Sequence, residues 1–194
     1  MSLEDLYCDV DEFCRMFLPA WHRRLLADGG RRRRARRLTL GEIMTILIDF
    51  HQSPYRHFKA FYLLHLCRHG RGAFPDLLSD SRFVAPIPTA LMPMGIDLHT
   101  RRGEDTGIAF IDATSRVVGH NRRLHSHPVF KHIARRGKTS MGWFYGFKLH
   151  LVVNDRGELL AFQITPGNVD DRRPVDELTQ GLTGKRVGDR GYIS

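Results

Sequence analysis

Phe147-Lys148-Leu149-His150-Leu151-Val152-Val153-Asn154-Asp155-Arg156-Gly157-Glu158-Leu159-Leu160-Ala161-Phe162-Gln163-Ile164 is the stretch from which the fold is read. Phe147, Leu149, Leu151 and Val153 alternate with Lys148, His150 and Val152, a period of two that describes a half-buried strand. Asn154-Asp155-Arg156-Gly157 has turn chemistry. Leu160, Phe162 and Ile164 then alternate again, so the two runs predict an antiparallel hairpin.

Upstream, Gly107-Ile108-Ala109-Phe110-Ile111 is a short apolar run, as in a strand covered on both faces, and it is expected to end at Asp112. Downstream, Pro166-Gly167-Asn168 breaks the pattern. Pro174 is expected to open a helix with Asp176 and Glu177 in its first turn and Val175, Leu178 and Leu182 inward, stopped by Gly184. Lys185-Arg186-Val187-Gly188 then leads to Asp189. The order is strand, strand, strand, helix, strand. Three antiparallel strands, a crossover helix and a parallel fourth strand are the opening of a ribonuclease-H-like α/β fold.

Before residue 100 the period is helical, so the chain divides into residues 1–100 and 101–194. Leu6, Val10, Phe13 and Phe17 form one stripe. Thr39 followed by Glu42 makes a capping box, and Leu40, Ile43, Met44, Leu47 and Phe50 supply a buried face. Ser53-Pro54 is expected to restart a helix that Gly70 ends. Between Arg82 and Arg102, Pro86, Pro88 and Pro93 argue for a linker or an irregular packed segment.

The apolar share of 42% supports a core, and no apolar run approaches the about 18 residues of a membrane span. Acids Glu4, Asp5 and Asp9 stand where a secretory signal carries basic residues, so a cytoplasmic protein is expected. Cys8, Cys14 and Cys67 have neither disulfide-framework nor zinc-ligand spacing. Thirty Lys and Arg against 21 Asp and Glu give a net charge of +9. That balance favours a polyanionic partner, most commonly nucleic acid. Arg31, Arg32, Arg33, Arg34, Arg36 and Arg37 repel one another and need anions or water, as a phosphate-binding arm or a solvated linker. Arg122, Arg123 and Lys138, among His120, His125, His127 and His132, have the same two readings. Lys148 and His150 share one strand face, either near a metal edge and the DNA or toward solvent on a half-exposed sheet. Trp143 and Tyr145 are candidates for stacking on a base or for packing on the hairpin.

In open sheets with helical crossovers, ligands gather beyond the carboxyl ends of parallel strands. If the first and fourth strands are neighbours, Asp112 and Asp189 meet at one edge. Paired carboxylates there suit Mg²⁺, which takes oxygen ligands and keeps sites for water and phosphate. A strand-terminal Asp is also a common turn former, and Asp155, Asp170 and Asp171 read that way.

Phe110-Ile111-Asp112-Ala113-Thr114, Gly142-Trp143-Phe144-Tyr145-Gly146-Phe147-Lys148-Leu149-His150, Pro166-Gly167-Asn168-Val169-Asp170-Asp171 and Gly188-Asp189-Arg190-Gly191-Tyr192 occur in that order. Together they resemble insertion-sequence DDE transposases, specifically the insertion sequence 982 family, from about Phe110 to Ser194. The resemblance implies Mg²⁺- or Mn²⁺-dependent cleavage and strand transfer of DNA, with element ends and target DNA as partners, no membrane, and a homo-oligomer at full length. It makes Asp112 and Asp189 the first two acids and metal ligands of the DDE triad. The third, a Glu on a later helix, would lie past Ser194, so the chain is expected to be C-terminally truncated. A nuclease of the same fold without strand transfer, and a non-catalytic fragment competing at element ends, are the alternatives.

Overall fold

The computed structural model describes residues 2–27, 37–119, 130, 133–139, 142–189 and 192. The chain forms two compact units, Met1–Leu98 and His99–Ser194. It is a mixed α/β protein with a helical first unit and a five-stranded mixed sheet in the second.

In the first unit, α1 (Leu3–Ala27) lays Leu6, Val10 and Phe13 against Ile43, Met44 and Leu47 of α2 (Leu40–Gln52). The capping box forms: the Glu42 amide donates to Thr39 Oγ1 at 3.1 Å, and the Thr39 amide donates to the Glu42 carboxylate at 2.6 Å. Ser53 ends α2 instead of starting the next helix, and Pro54 stays outside. Helical structure resumes as α3 (Phe58–Ala60), a π-helical turn (Phe61–Leu66) and α4 (Cys67–His69), with Phe61, Tyr62 and Leu66 fully buried.

After the short α5 (Asp80–Phe83), the proline-rich stretch forms a 14-residue helix, α6 (Ile87–Thr100), where an irregular segment was expected. Pro88 lies in the first turn, where an amide has no partner within the helix, and fits there without cost. Pro93 forgoes one internal hydrogen bond, but it is buried. Tertiary packing outweighs local propensity at this point.

The second unit contains β1 (Ile108–Gly119), β2 (Arg135–Thr139), β3 (Gly142–Asn154), β4 (Leu159–Pro166), α7 (Val175–Leu178) and β5 (Lys185–Gly188). The hairpin β3–β4 forms as its alternation predicts, with Leu151 opposite Phe162. β1 runs antiparallel to β3 and parallel to β5. β2, which has no apolar pattern of its own, adds to β3 beyond the end of β4.

Three expectations change. β1 does not stop at Asp112 but continues to Gly119, because β3 supplies hydrogen-bonding partners as far as Tyr145. The helix after Pro174 is a single turn, Val175–Leu178, that ends at Thr179, well before Gly184. The covered face of β3 is also the opposite of a solvent face for Lys148 and His150. His150 and Val152 are fully buried, and Ala109, Ile111, Leu160 and Leu178 complete that core. Phe147, Leu149, Leu151 and Val153 are half-buried on the other face, beside the exposed Phe110 and Ile164. Polar residues enter the covered face because each finds a partner there. His150 Nε2 lies 2.8 Å from Thr165 Oγ1, and Asn154 Nδ2 donates to the Glu158 carboxylate at 2.6 Å.

Candidate metal-binding edge and nucleic-acid surface

The parallel ladder between β1 and β5 ends with Ile111 opposite Gly188. The next residue on each chain is Asp112 on β1 and Asp189 after β5, so the ladder brings the two acids side by side. Within β1, Asp112 shares a face with Phe110, which is paired with Val187 of β5. Asp112 therefore lies where its parallel neighbour ends, although its own strand goes on. Both acids are exposed.

Asp105 sets this register. Its carboxylate accepts the Thr183 amide at 2.6 Å, the Thr183 hydroxyl at 2.8 Å and the Gly107 amide at 3.0 Å. The Lys185 amide then donates to Gly107 O at 2.8 Å, which starts the ladder. Hydrogen bonds from the Thr183 and Gly107 amides hold the Asp105 carboxyl below its usual pKa. Sequence reading missed Asp105, since 78 positions separate it from Thr183 and no local pattern joins them.

The Asp112 carboxylate is oriented by the Ala113 amide, which donates to Oδ1 at 2.8 Å. Tyr192, whose amide donates to Asp189 O at 2.9 Å, has its phenol pKa pushed up to about 12. Burial is the main cause, followed by the charges of Asp171, Asp112 and Asp189. Tyr192 packs against the core that contains Ala109, Ile111 and Leu178, and its hydroxyl is buried without a hydrogen-bond partner among the described residues.

The residues also match a known family. Residues 102–194 match the model of the transposase DDE domain. The second unit is thus similar, over most of its length, to transposase DDE domains. No curated protein and no solved structure matches the chain.

Transposase DDE domains generally use divalent metal ions. Carboxylates are hard oxygen donors, and those of two exposed residues that follow a shared ladder fit Mg²⁺ or Mn²⁺, which take one or two protein carboxylates and leave other positions to water and phosphate. Among the described residues, no group of three His, Cys, Asp or Glu is placed to hold a metal.

The expected DNA-binding residues of the second unit divide. Lys148, on the covered face, donates to Val169 O at 2.9 Å and to Asp171 Oδ1 at 2.8 Å, so its charge is already matched inside the fold. Asp171, read from sequence as a turn former, is thus the ionic partner of Lys148. Lys138 is exposed on β2. Tyr145 is buried, its hydroxyl donating to Phe130 O at 3.2 Å, while Trp143 is exposed. Outside this unit, Arg37 faces Asp76 at 3.4 Å. Arg31, Arg32, Arg33, Arg34, Arg36, Arg122, Arg123 and His120, His125, His127 and His132 lie outside the described residues. Among the described residues, no helix is long and apolar enough to cross a membrane.

Proposed function

We propose that this chain acts as an insertion-sequence transposase whose DDE domain, built on a ribonuclease-H-like sheet, cleaves DNA strands and transfers them in a divalent-metal-dependent reaction. The observation that carries this reading is the parallel ladder that brings Asp112 beside Asp189. Asp112 and Asp189 would hold Mg²⁺ or Mn²⁺ through their carboxylates. Bound divalent ions supply activation of an attacking oxygen and stabilisation of the oxygen that leaves phosphorus.

The chain's own groups prepare that edge. The Ala113 amide fixes the orientation of the Asp112 carboxylate. Asp105 holds the start of β5 against β1 and so keeps Asp189 level with Asp112. The net charge of +9 draws DNA toward the protein.

Mn²⁺ titration followed by water-proton relaxation tests the metal edge directly. Binding is expected in the native chain and is expected to weaken in both Asp112→Asn and Asp189→Asn. Metal-dependent nicking of element-end DNA is expected to need both acids. Unchanged Mn²⁺ binding in the two variants would overturn the assignment.

A further inference from the structure

β2 places Arg136 and Lys138 on one face of the sheet and Gly137 on the other, with Arg136 opposite Tyr145 and Lys138 opposite Trp143. Gly137 is buried, and a Cβ there would run into the backbone carbonyl of Gly167, so the strand is closely seated on that side. On the other side the Trp143 ring carries both cations, with the Arg136 guanidinium 4.4 Å and the Lys138 ammonium 5.8 Å from its centroid. These contacts restrain two long side chains. Both cations are exposed, and among the described residues neither forms an ion pair with a carboxylate. The acids of the neighbouring loop are already matched, Asp170 by Arg172 at 3.0 and 3.1 Å and Asp171 by Lys148 at 2.8 Å. Two like charges are therefore gathered at one ring without an anion to balance them.

The same face of the sheet leads to Asp112. Side chains of β3 alternate, so Trp143, Phe147 and Leu151 share a face, and Phe147 is paired with Arg116 and Leu151 with Asp112. Arg116 is exposed and, among the described residues, also forms no ion pair with a carboxylate. Between Asp112 and Lys138 the strands place no other acid on this face. Arg116 stands four residues along β1 from Asp112, and Trp143 stands eight residues along β3 from Leu151. At about 3.4 Å per residue these separations are about 13 and 27 Å, and the longer one matches the rise of about eight base pairs. A small anion needs only one cluster of cations. Three unmatched cations drawn out over that length suit an extended polyanion with regularly spaced phosphates.

We propose that Arg116, Arg136 and Lys138 hold backbone phosphates of duplex DNA that reaches the Asp112 edge, with Trp143 as the residue that positions the last two cations. Restraining long cationic side chains before binding lowers the ordering cost on association. Contacts of this kind set the position of the DNA and carry no sequence information. The assignment rests on the DNA-directed reading above and says where on the sheet the duplex lies.

The test is fluorescence anisotropy of a labelled duplex bound by the full chain over a series of salt concentrations, in the presence of a chelator. Arg116→Gln alone is expected to flatten the slope of log affinity against log salt by about 0.9, and Arg116→Gln, Arg136→Gln and Lys138→Gln together by about 2.7 if each cation neutralises one phosphate. Duplexes of unrelated sequence are expected to show the same loss. Arg156→Gln with Arg173→Gln, which removes exposed charge from the β3–β4 turn and from the segment before α7, is expected to leave the slope unchanged. Trp143→Leu keeps every charge and is expected to weaken binding about 2- to 10-fold at an unchanged slope, whereas Trp143→Phe, which keeps a ring, retains most of the affinity. An unchanged slope in the triple variant, an equal flattening by the Arg156 and Arg173 pair, or full affinity in Trp143→Leu would each overturn the proposal. Mn²⁺ binding is expected to survive the triple substitution, and Asp112→Asn is expected to bind the duplex at least as tightly without metal. Failure here and failure of the metal edge are therefore distinguishable.

Discussion

Replacing Lys148 with Met tests the buried side of the sheet, because it removes a charge and keeps the aliphatic stem. The ammonium donates to Val169 O at 2.9 Å and to Asp171 Oδ1 at 2.8 Å, and the two side chains are 12% and 36% exposed. An exposed ion pair contributes about 0.2–1 kcal/mol, whereas breaking a buried one costs about 3–5 kcal/mol. Asp171 is open enough to recover some hydration, so the expected loss falls between these limits, at about 2 kcal/mol. A pH signature should accompany it. His150 titrates below its ordinary value through burial first, with Asp171 raising its pKa and Lys148 lowering it. A depressed His pKa contributes stability that is present above about pH 6.5 and is lost as pH falls through the folded value. Without Lys148 the depression lessens, so the loss of stability on going from pH 7.5 to 5.5 should become shallower. Asp171→Asn removes the opposing charge and should make it steeper. Urea unfolding followed by Trp143 emission in a Trp21→Phe background reads both. A cost under about 0.5 kcal/mol, the scale of an exposed pair, or slopes that change in the same direction, would refute the reasoning.

Thr39→Ala should cost about 1 kcal/mol of first-unit stability by opening the capping box, seen as a lower urea midpoint; an unmoved midpoint would argue against it. Gly137→Ala should destabilise the second unit by about 1–3 kcal/mol, because the added methyl meets the Gly167 backbone, and thermal unfolding will show whether it does. Asp105→Ala should speed hydrogen exchange at the Lys185 and Val187 amides and weaken Mn²⁺ binding together; faster exchange with intact metal binding would separate the clamp from the site. Raised above its ordinary value, the Tyr192 phenol should give stability that is present below about pH 10 and lost as pH rises toward about 12, and Tyr192→Phe should flatten that alkaline loss. If Arg31, Arg32, Arg33, Arg34, Arg36 and Arg37 bind phosphates, replacing them should reduce the slope of log affinity against log salt by about 0.9 for each phosphate no longer neutralised.

Local chemistry was sufficient for several features. The Thr39 and Glu42 box lies within one helical turn, and the β3–β4 hairpin is carried by its own alternation and the turn at Asn154–Gly157. In each case the interacting groups are near in sequence, so residue type and period carry the information.

Tertiary structure decided what depends on groups distant in the chain. Alternation shows that β3 has two faces but not which one is covered; that follows from where Leu160 and Leu178 pack, and from whether Lys148 and His150 find Asp171 and Thr165. β2 has no pattern of its own and exists because β3 offers it an open edge. α6 passes through Pro93 because that residue is buried. The meeting of Asp112 with Asp189 depends on a parallel register set across 78 positions by Asp105 and Thr183. A period in sequence records only the repeat of an element, whereas face, register and ion pairing are set by energies that exist only once distant segments are packed together.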